Sequence, residues 1–329
     1  MFEFVNIKDG IKRVNIIRVT KDVWMKITLF SLFLLTVVSS ACADFSRNYL
    51  DSHPLQTVAV NNLELAYRIV GQGEERPKVL MIMGLGGSNV AWGDNLISRL
   101  VDSGYEVMIF DNRDTGASTR FDNWGQPTLW LQLLKHSLRL PVNAPYNLHD
   151  MANDTVALMD SVGYSKAHIV GVSMGGMIAQ VIAARFPQRT SSLISIMSST
   201  MARHLPAPTD LAEGRLRELA EGDAKAEREA AIRNRGFYPQ TMPRHLMAIF
   251  KTGDRSAEVA TIEASTLVLH GADDGLLPPA HGMHTAELIN GAEFVLLQDM
   301  GHNIPTAVIP EMVRHMTQHM QSVDLAIKP

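Results

Sequence analysis

The chain has 329 residues and a formal net charge of −4, from 30 basic and 34 acidic residues. Its length fits one large domain with insertions better than a string of modules, and a hydrophobic fraction of 46% excludes a disordered or collagenous chain. The charge balance leaves no basic footprint for nucleic acid, and one cysteine, Cys42, permits neither an intramolecular disulfide nor a cysteine-rich metal site.

The N-terminal region has the pattern of a secretory signal peptide. From Ile27 to Val38 the sequence is uncharged and apolar, after Met25-Lys26 and before the small residues Ser39 to Ala43. Apolar signal regions span about 7 to 15 residues, whereas a membrane-spanning helix needs roughly 20. We therefore expect an exported, periplasmic or envelope-associated bacterial protein, with residues 1–43 as an upstream extension and signal peptide and with Met25 as the true start.

Two outcomes of processing stay open at the end of this segment. Ala41-Cys42-Ala43 fits the small-residue cleavage rule, which would release a soluble protein beginning at Asp44. Ser40-Ala41-Cys42 instead resembles the end of a bacterial lipobox, in which Cys42 would carry lipid and attach the protein to a membrane. An uncleaved anchor is a third outcome, and the oligomeric state is not readable from the sequence.

After Asp44, short apolar segments rich in β-branched residues alternate with helical patterns. The predicted strands are Thr57 to Val60, Leu63 to Val70, Val79 to Met83, Val107 to Phe110, Ala167 to Val172, Leu193 to Met197, Thr266 to His270 and Glu293 to Leu297. Nearly continuous apolar strands separated by helices are typical of buried parallel strands. The pattern predicts an α/β fold with a mostly parallel, doubly wound sheet flanked by helices.

Two segments interrupt the alternation. Residues 200–262 contain no convincing strand and are rich in Glu, Arg and Ala from Asp210 to Arg235, which predicts a helical cap between core parts 44–199 and 263–329. An insertion between strands projects at the sheet edge where ligands bind, so a lid is favoured over a solvated appendage. The second segment, Phe121 to Pro145, is rich in tryptophan and leucine. Two interpretations of it stay open, plain packing and a pocket-lining or interfacial role.

A G-x-S-x-G pentapeptide, Gly171 to Gly175, lies between a predicted strand and a predicted helix. On so sharp a turn the flanking glycines avoid side-chain clashes and leave the oxygen of Ser173 exposed. The helix N-terminus offers backbone N–H groups to a developing oxyanion. The setting therefore predicts a nucleophilic serine.

An activated serine needs a base and an orienting acid, which in this order of elements follow later strands. Asp273 and Asp274 follow the strand ending at His270, and His302 follows the strand ending near Leu297. The choice between the two aspartates stays open on spacing alone. The competing histidines fall in predicted helices; they are His281, His284, His315 and His319.

A further backbone donor is expected from the glycine-rich loop MGLGGS that begins at Met83. Its glycines allow close approach to a substrate oxygen, and the N–H groups of Leu85 and Met174 are the predicted oxyanion pair. The alternative interpretation of the loop is a tight connection before a helix containing Trp92.

The chain resembles the α/β-hydrolase family over nearly all of residues 55–320. The motifs that carry the resemblance are MGLGGS, FDNRDTGAST, GVSMGG, VLHGADDGLLPP and MGHNIP. Within the family it is most similar to bacterial hydrolases of the aclacinomycin methylesterase type, which are related to proline iminopeptidases. The family pattern HG-x-x-D places the acid on Asp274, with Ser173 as nucleophile and His302 as base, and D-x-R-x-x-G-x-S falls on Asp111, Arg113, Gly116 and Ser118 as structural support. One position departs from the family pattern: many members have histidine where this chain has Met83.

The resemblance and the residues together imply a serine hydrolase that works through an acyl-enzyme, with no metal or organic cofactor. A small or medium hydrophobic ester is the expected substrate, because the lid candidates Phe237, Tyr238, Met242, Met247 and Phe250 are apolar. A proline iminopeptidase-like aminopeptidase, a cofactor-independent haloperoxidase and a non-catalytic envelope binding protein are the alternatives.

Overall fold

The computed structural model describes residues 48–125, 129–209 and 236–327. The expected signal segment, the start at Met25, Cys42 and the segment from Asp210 to Arg235 lie outside the described residues. Within the described ranges no helix has the length and apolarity needed to cross a bilayer.

The core is an eight-stranded sheet in the order β1-β2-β4-β3-β5-β6-β7-β8. The strands are β1 Gln56–Val60, β2 Leu63–Val70, β3 Lys78–Ile82, β4 Glu106–Phe110, β5 Ala167–Val172, β6 Thr190–Ile196, β7 Thr266–Gly271 and β8 Glu293–Leu297. Strand β2 pairs antiparallel with both β1 and β4, and every pairing from β4 through β8 is parallel. The predicted eight-stranded, mostly parallel sheet is confirmed.

Helices cover both faces of the sheet. The α-helices of the described ranges are α1 Asn48–Asp51, α2 Asp94–Asp102, α3 Leu129–Ser137, α4 Leu148–Ser161, α5 Met174–Arg185, α6 Met242–Thr252, α7 Ser256–Val259, α8 Ala280–Leu288 and α9 Ile309–Ile327. His281 and His284 lie in α8 and His315 and His319 in α9, as predicted. Trp92, however, lies in a short 3-10 helix, Asn89–Trp92, because Gly93 at φ 73° separates that turn from α2.

The two faces of the sheet bury separate apolar clusters. Along β3, Leu80 and Ile82 pack into the cluster that contains α4 and α5, whereas Val79 and Met81 pack into the cluster that contains α2 and α9. Successive side chains of a strand point to opposite faces, so a strand covered on both sides is apolar throughout. This explains why all residues of β5 are buried and why its sequence shows no polar alternation.

The described residues of segment 200–262, called the cap below, contact the loops that follow β3 and β4. Helix α3 packs against α6, and Phe237 forms an isolated β-bridge with Gly87, in the loop after β3. The hydroxyl of Thr241 donates to the carbonyl oxygen of Asp114, 2.6 Å away, in the loop after β4. These contacts join the cap to the loops in which the predicted functional residues lie.

Candidate active site

Ser173 occupies a strained turn between β5 and α5, at φ 54° and ψ −119°. The neighbouring glycines make the turn sterically feasible. A Cβ atom at Gly175 would lie 2.0 Å from the carbonyl oxygen of Ile82, and one at Gly171 would lie 2.2 Å from that of Gly175. A non-glycine residue at positive φ costs on the order of 1–3 kcal/mol and persists only where the surroundings enforce it. The turn therefore presents the hydroxyl at the sheet edge, beside the N-terminus of α5.

Three side chains from separate loops meet at this turn. Nε2 of His302 lies 3.0 Å from Oγ of Ser173, and Nδ1 of His302 lies 2.8 Å from Oδ2 of Asp274. A carboxylate only accepts hydrogen bonds, so Nδ1 carries a proton, and in the neutral form of the ring Nε2 is bare and can accept the serine hydroxyl proton. The predicted serine, acid and histidine thus form one continuous hydrogen-bonded chain.

Asp274 is the acid that faces the imidazole, which resolves the choice that spacing left open. Its other oxygen, Oδ1, accepts the backbone N–H groups of Leu276 and Leu277, both at 2.9 Å. Burial alone would raise the pKa of Asp274, but the charge of His302 and hydrogen bonds from His270 and His302 hold it well below its ordinary value. Asp273 is exposed.

The glycine-rich loop after β3 lies directly against the serine. A Cβ atom built at Gly84 would be 3.2 Å from Cβ of Ser173 and 3.8 Å from its Oγ. The amide of Asn112 donates to the carbonyl oxygen of Met83 at 3.0 Å and so fixes the start of the loop. Leu85, the residue after Gly84, is half-buried. Met174 is the first residue of α5 and directly follows Ser173. Met174 is therefore bonded directly to the serine, and Leu85 follows Gly84, the loop residue that lies against it.

The loop after β4 supports the site through hydrogen bonds. Oδ1 of Asp111 accepts both the backbone N–H and the side-chain amide of Asn89, at 2.6 and 2.7 Å. Its Oδ2 accepts the N–H of Ala117, and the hydroxyl of Ser118 donates to its backbone oxygen. Arg113 donates to Asp154 on α4, 2.6 Å away. These residues brace the loop and do not reach the serine.

A buried ion pair connects that loop to the cap. The carboxylate of Asp114 accepts hydrogen bonds from Nε of Arg244 at 2.5 Å and from Nη2 of Arg244 at 2.8 Å. It also accepts a hydrogen bond from the hydroxyl of Tyr146. Burial alone would raise the pKa of Asp114, but the hydrogen bond from Arg244 and the N–H of Phe121 bring it below its ordinary value. Through this pair, helix α6 is joined directly to the loop after β4.

The sequence analysis missed the residue next to Arg244. His245 is fully buried, and its Nδ1 accepts the N–H of Gly86 in the glycine-rich loop at 3.2 Å. Its Nε2 donates to the carbonyl oxygen of Arg113 at 3.0 Å. No motif marks His245. The signal available in the sequence was its place between the apolar residue Met242 and the apolar run Leu246 to Phe250.

The expected lid residues are apolar and close to the site. Phe237 and Met242 contact the position of Gly86, and Met247 and Phe250 belong to a small buried cluster against which Leu85 packs. The side chain of Trp130 lies outside the described residues. In the described parts of the chain, no group of three or more His, Cys, Asp or Glu side chains has an arrangement that could hold a metal ion.

The strand order and the serine turn after β5 define the α/β-hydrolase fold. A family model described as alpha/beta hydrolase fold matches residues 77–237. A rhodomycin D methylesterase from Streptomyces sp. (strain C5) is 25% identical over 82% of this chain and 99% of its own length. A putative carbamate hydrolase from Pseudomonas savastanoi pv. phaseolicola is 25% identical over 70% of this chain and 88% of its own.

Solved structures share the same architecture. A hydrolase from Pseudomonas aeruginosa superposes with a TM-score of 0.58 at 23% identity, covering 82% of this chain and 97% of its own. The enol-lactonase from Burkholderia xenovorans gives 0.57 at 22% identity, covering 83% and 100%. The chain has the α/β-hydrolase fold, its curated relatives are hydrolases, and it is itself a hydrolase.

Proposed function

We propose that the protein is a serine esterase that cleaves small to medium hydrophobic carboxylic esters. The observation that carries the proposal is the unbroken chain from Oγ of Ser173 through His302 to Asp274, with links of 3.0 and 2.8 Å. Such a chain provides what acyl transfer requires, namely a nucleophile, a base within reach of its proton and an acid that fixes the ring tautomer.

In the proposed reaction, Oγ of Ser173 attacks the ester carbonyl carbon while Nε2 of His302 takes the hydroxyl proton. Asp274 stabilises the resulting imidazolium. The backbone N–H groups of Leu85 and Met174 hold the tetrahedral oxyanion, where one donor contributes on the order of 3 kcal/mol to lowering the barrier. His302 returns the proton to the leaving alcohol, and water then hydrolyses the acyl-enzyme by the same steps in reverse.

The preference for an apolar substrate rests on the surroundings of Leu85. The buried cluster against which it packs contains Val142, Leu246, Met247 and Phe250. Apolar walls favour apolar ligands because binding then removes hydrophobic surface from water on both partners. A methyl ester of a larger hydrophobic acid is the first substrate to test, because the methylesterase relative covers most of the chain.

A fluorophosphonate probe followed by peptide mass mapping tests the proposed nucleophile. We expect a single covalent adduct on Ser173 in the native protein and none in protein unfolded before labelling, because the hydroxyl is nucleophilic only beside a bare imidazole nitrogen. Absence of the adduct from native protein would contradict the proposal.

An ester panel then tests the substrate class. We expect kcat/KM to rise with acyl length from acetate to butyrate, since each buried methylene contributes about 0.8 kcal/mol. Proline p-nitroanilide, an aryl carbamate and peroxide-dependent bromination test the rival activities. Faster turnover of one of these than of every ester would replace the proposed substrate class.

We also propose that the protein is exported through its N-terminal apolar segment, because the run Ile27 to Val38 carries no charge and ends in small residues. The mass of the N-terminal peptide from the native host tests this. A start at Asp44 supports cleavage, a lipid-modified Cys42 supports membrane attachment, and an intact upstream segment on cytoplasmic protein would contradict export.

A further inference from the structure

His245 stands out because it touches the proposed oxyanion loop without belonging to the serine, histidine and aspartate chain. It lies on α6, with no exposed surface. Gly86, the residue after Leu85, donates its N–H to Nδ1 of His245. The opposite ring nitrogen donates to Arg113 in the loop after β4. One ring therefore bridges the two loops that border the site.

The bridge requires one protonation state of the ring. Nδ1 must be bare to accept the N–H of Gly86, so Nε2 carries the proton that it donates to Arg113. Burial lowers the pKa of His245 to about 4, which keeps the ring neutral near pH 7. The charged or titratable groups around it are Asp114, Arg244 and Arg120, with the ring of Tyr146 at 6.0 Å.

The cap holds Gly86 from its other side as well. The carbonyl oxygen of Gly86 accepts the N–H of Tyr238 at 2.8 Å. Gly86 has φ 71°, and a Cβ atom there would lie 2.8 Å from the ring of Phe237 and 3.0 Å from Met242. Both polar groups of this residue are thus held by cap atoms, and its missing side chain lets the cap approach.

These anchors enclose the proposed oxyanion donor. Upstream of Leu85, Asn112 holds the carbonyl oxygen of Met83. Downstream, His245 holds the N–H of Gly86, which fixes the peptide plane between Leu85 and Gly86 and hence the rotation about the Leu85 Cα–C bond. The Gly84–Leu85 peptide, which carries the N–H of Leu85, lies between these two fixed peptide groups, so the direction of that N–H is restricted from both ends.

We propose that His245 is a positioning residue that sets the geometry of the oxyanion loop and makes that geometry depend on the seating of the cap. The inference rests on the proposed function, because it assigns Leu85 N–H to the developing oxyanion. An oxyanion donor acts only in a narrow range of positions, and a misplacement near 1 Å costs about 100-fold in rate. His245 thereby affects the transition state more than the binding of the ester.

The test compares His245→Leu, which removes both ring hydrogen bonds, with His245→Asn, which keeps an acceptor near the position of Nδ1. With p-nitrophenyl butyrate we expect kcat of the leucine variant to fall by about 10- to 100-fold while KM changes by less than about threefold. The asparagine variant should recover most of that loss.

His168→Leu is the matched control. His168 is also buried, and its two ring nitrogens also have partners, Ser192 at 2.8 Å and Asp324 at 3.1 Å. It lies near the start of β5, at the opposite end of the strand from Ser173. Removing it should lower the temperature of unfolding while kcat stays within about twofold of wild type, which separates general destabilisation from loop positioning.

A readout independent of turnover is amide hydrogen exchange at Gly86. We expect protection of this amide in the wild type and in His245→Asn, and faster exchange in His245→Leu, whereas His168→Leu leaves it unchanged. An unchanged kcat in folded His245→Leu, or unchanged protection of Gly86, would overturn the positioning role. If wild-type protein hydrolyses no ester while Gly86 still responds, the proposed function fails and the loop anchor stands.

Discussion

The variant Ser173→Ala should lose on the order of a million-fold in kcat for p-nitrophenyl butyrate, down to the level of residual binding and oxyanion stabilisation. The physical reason is that, among the described residues, no hydroxyl other than that of Ser173 is held at 3.0 Å from Nε2 of His302. The hydroxyl of Ser198 donates instead to the backbone oxygen of Ser173 at 2.8 Å. Steady-state rates at saturating substrate measure the effect.

The same variant should remain folded. Alanine accepts the strained backbone at φ 54° no worse than serine, because both carry a Cβ atom, and the lost hydroxyl leaves the half-buried edge of the site. The thermal midpoint of Ser173→Ala should therefore stay within a few degrees of wild type. Ser198→Ala is the matched control, and it should keep most of the activity. Substantial turnover by folded Ser173→Ala would end the serine mechanism.

The sequence predicted the elements of the fold because a strand that is buried on both faces is apolar along its whole length. The strands β2, β5 and β8 begin and end at the predicted residues. Strand β6 begins three residues earlier than predicted, at Thr190, because its first residues are polar and a buried polar residue does not show in an apolar run. The site serine was readable because its strained turn requires glycines at fixed spacing.

The parts that the sequence did not predict depend on contacts between distant segments. The spacing of Asp273 and Asp274 could not show which carboxylate turns inward, and family resemblance selected the one that the structure brings to His302. Arg244 and His245 meet Asp114 and Gly86 across more than a hundred residues of chain. Such pairings leave no local period, and their partners are backbone groups or common side chains, so only the folded chain identifies them.

The variant Asp274→Asn should lower kcat by about 10,000-fold, an effect that the hydrogen-bonding pattern explains. The backbone N–H groups of Leu276 and Leu277 both point at Oδ1, so an asparagine would place its carbonyl oxygen there. Its NH2 group would then face Nδ1 of His302 and donate to it. The ring proton would move to Nε2, which could no longer accept the proton of Ser173.

Asp273→Asn is the control because Asp273, the residue before Asp274, is exposed and the substitution removes the same charge. Its kcat should stay within about twofold of wild type. The stability of Asp274→Asn relative to wild type should also depend on pH. The pKa of Asp274 is lowered by folding, so its contribution is complete above the unfolded value of about 4 and is lost as the pH falls below it. The stability gap between wild type and Asp274→Asn should therefore be widest near neutral pH and narrow in acid, as measured by denaturant unfolding at a series of pH values. Equal kcat in the two variants would show that the inward carboxylate does not orient the imidazole.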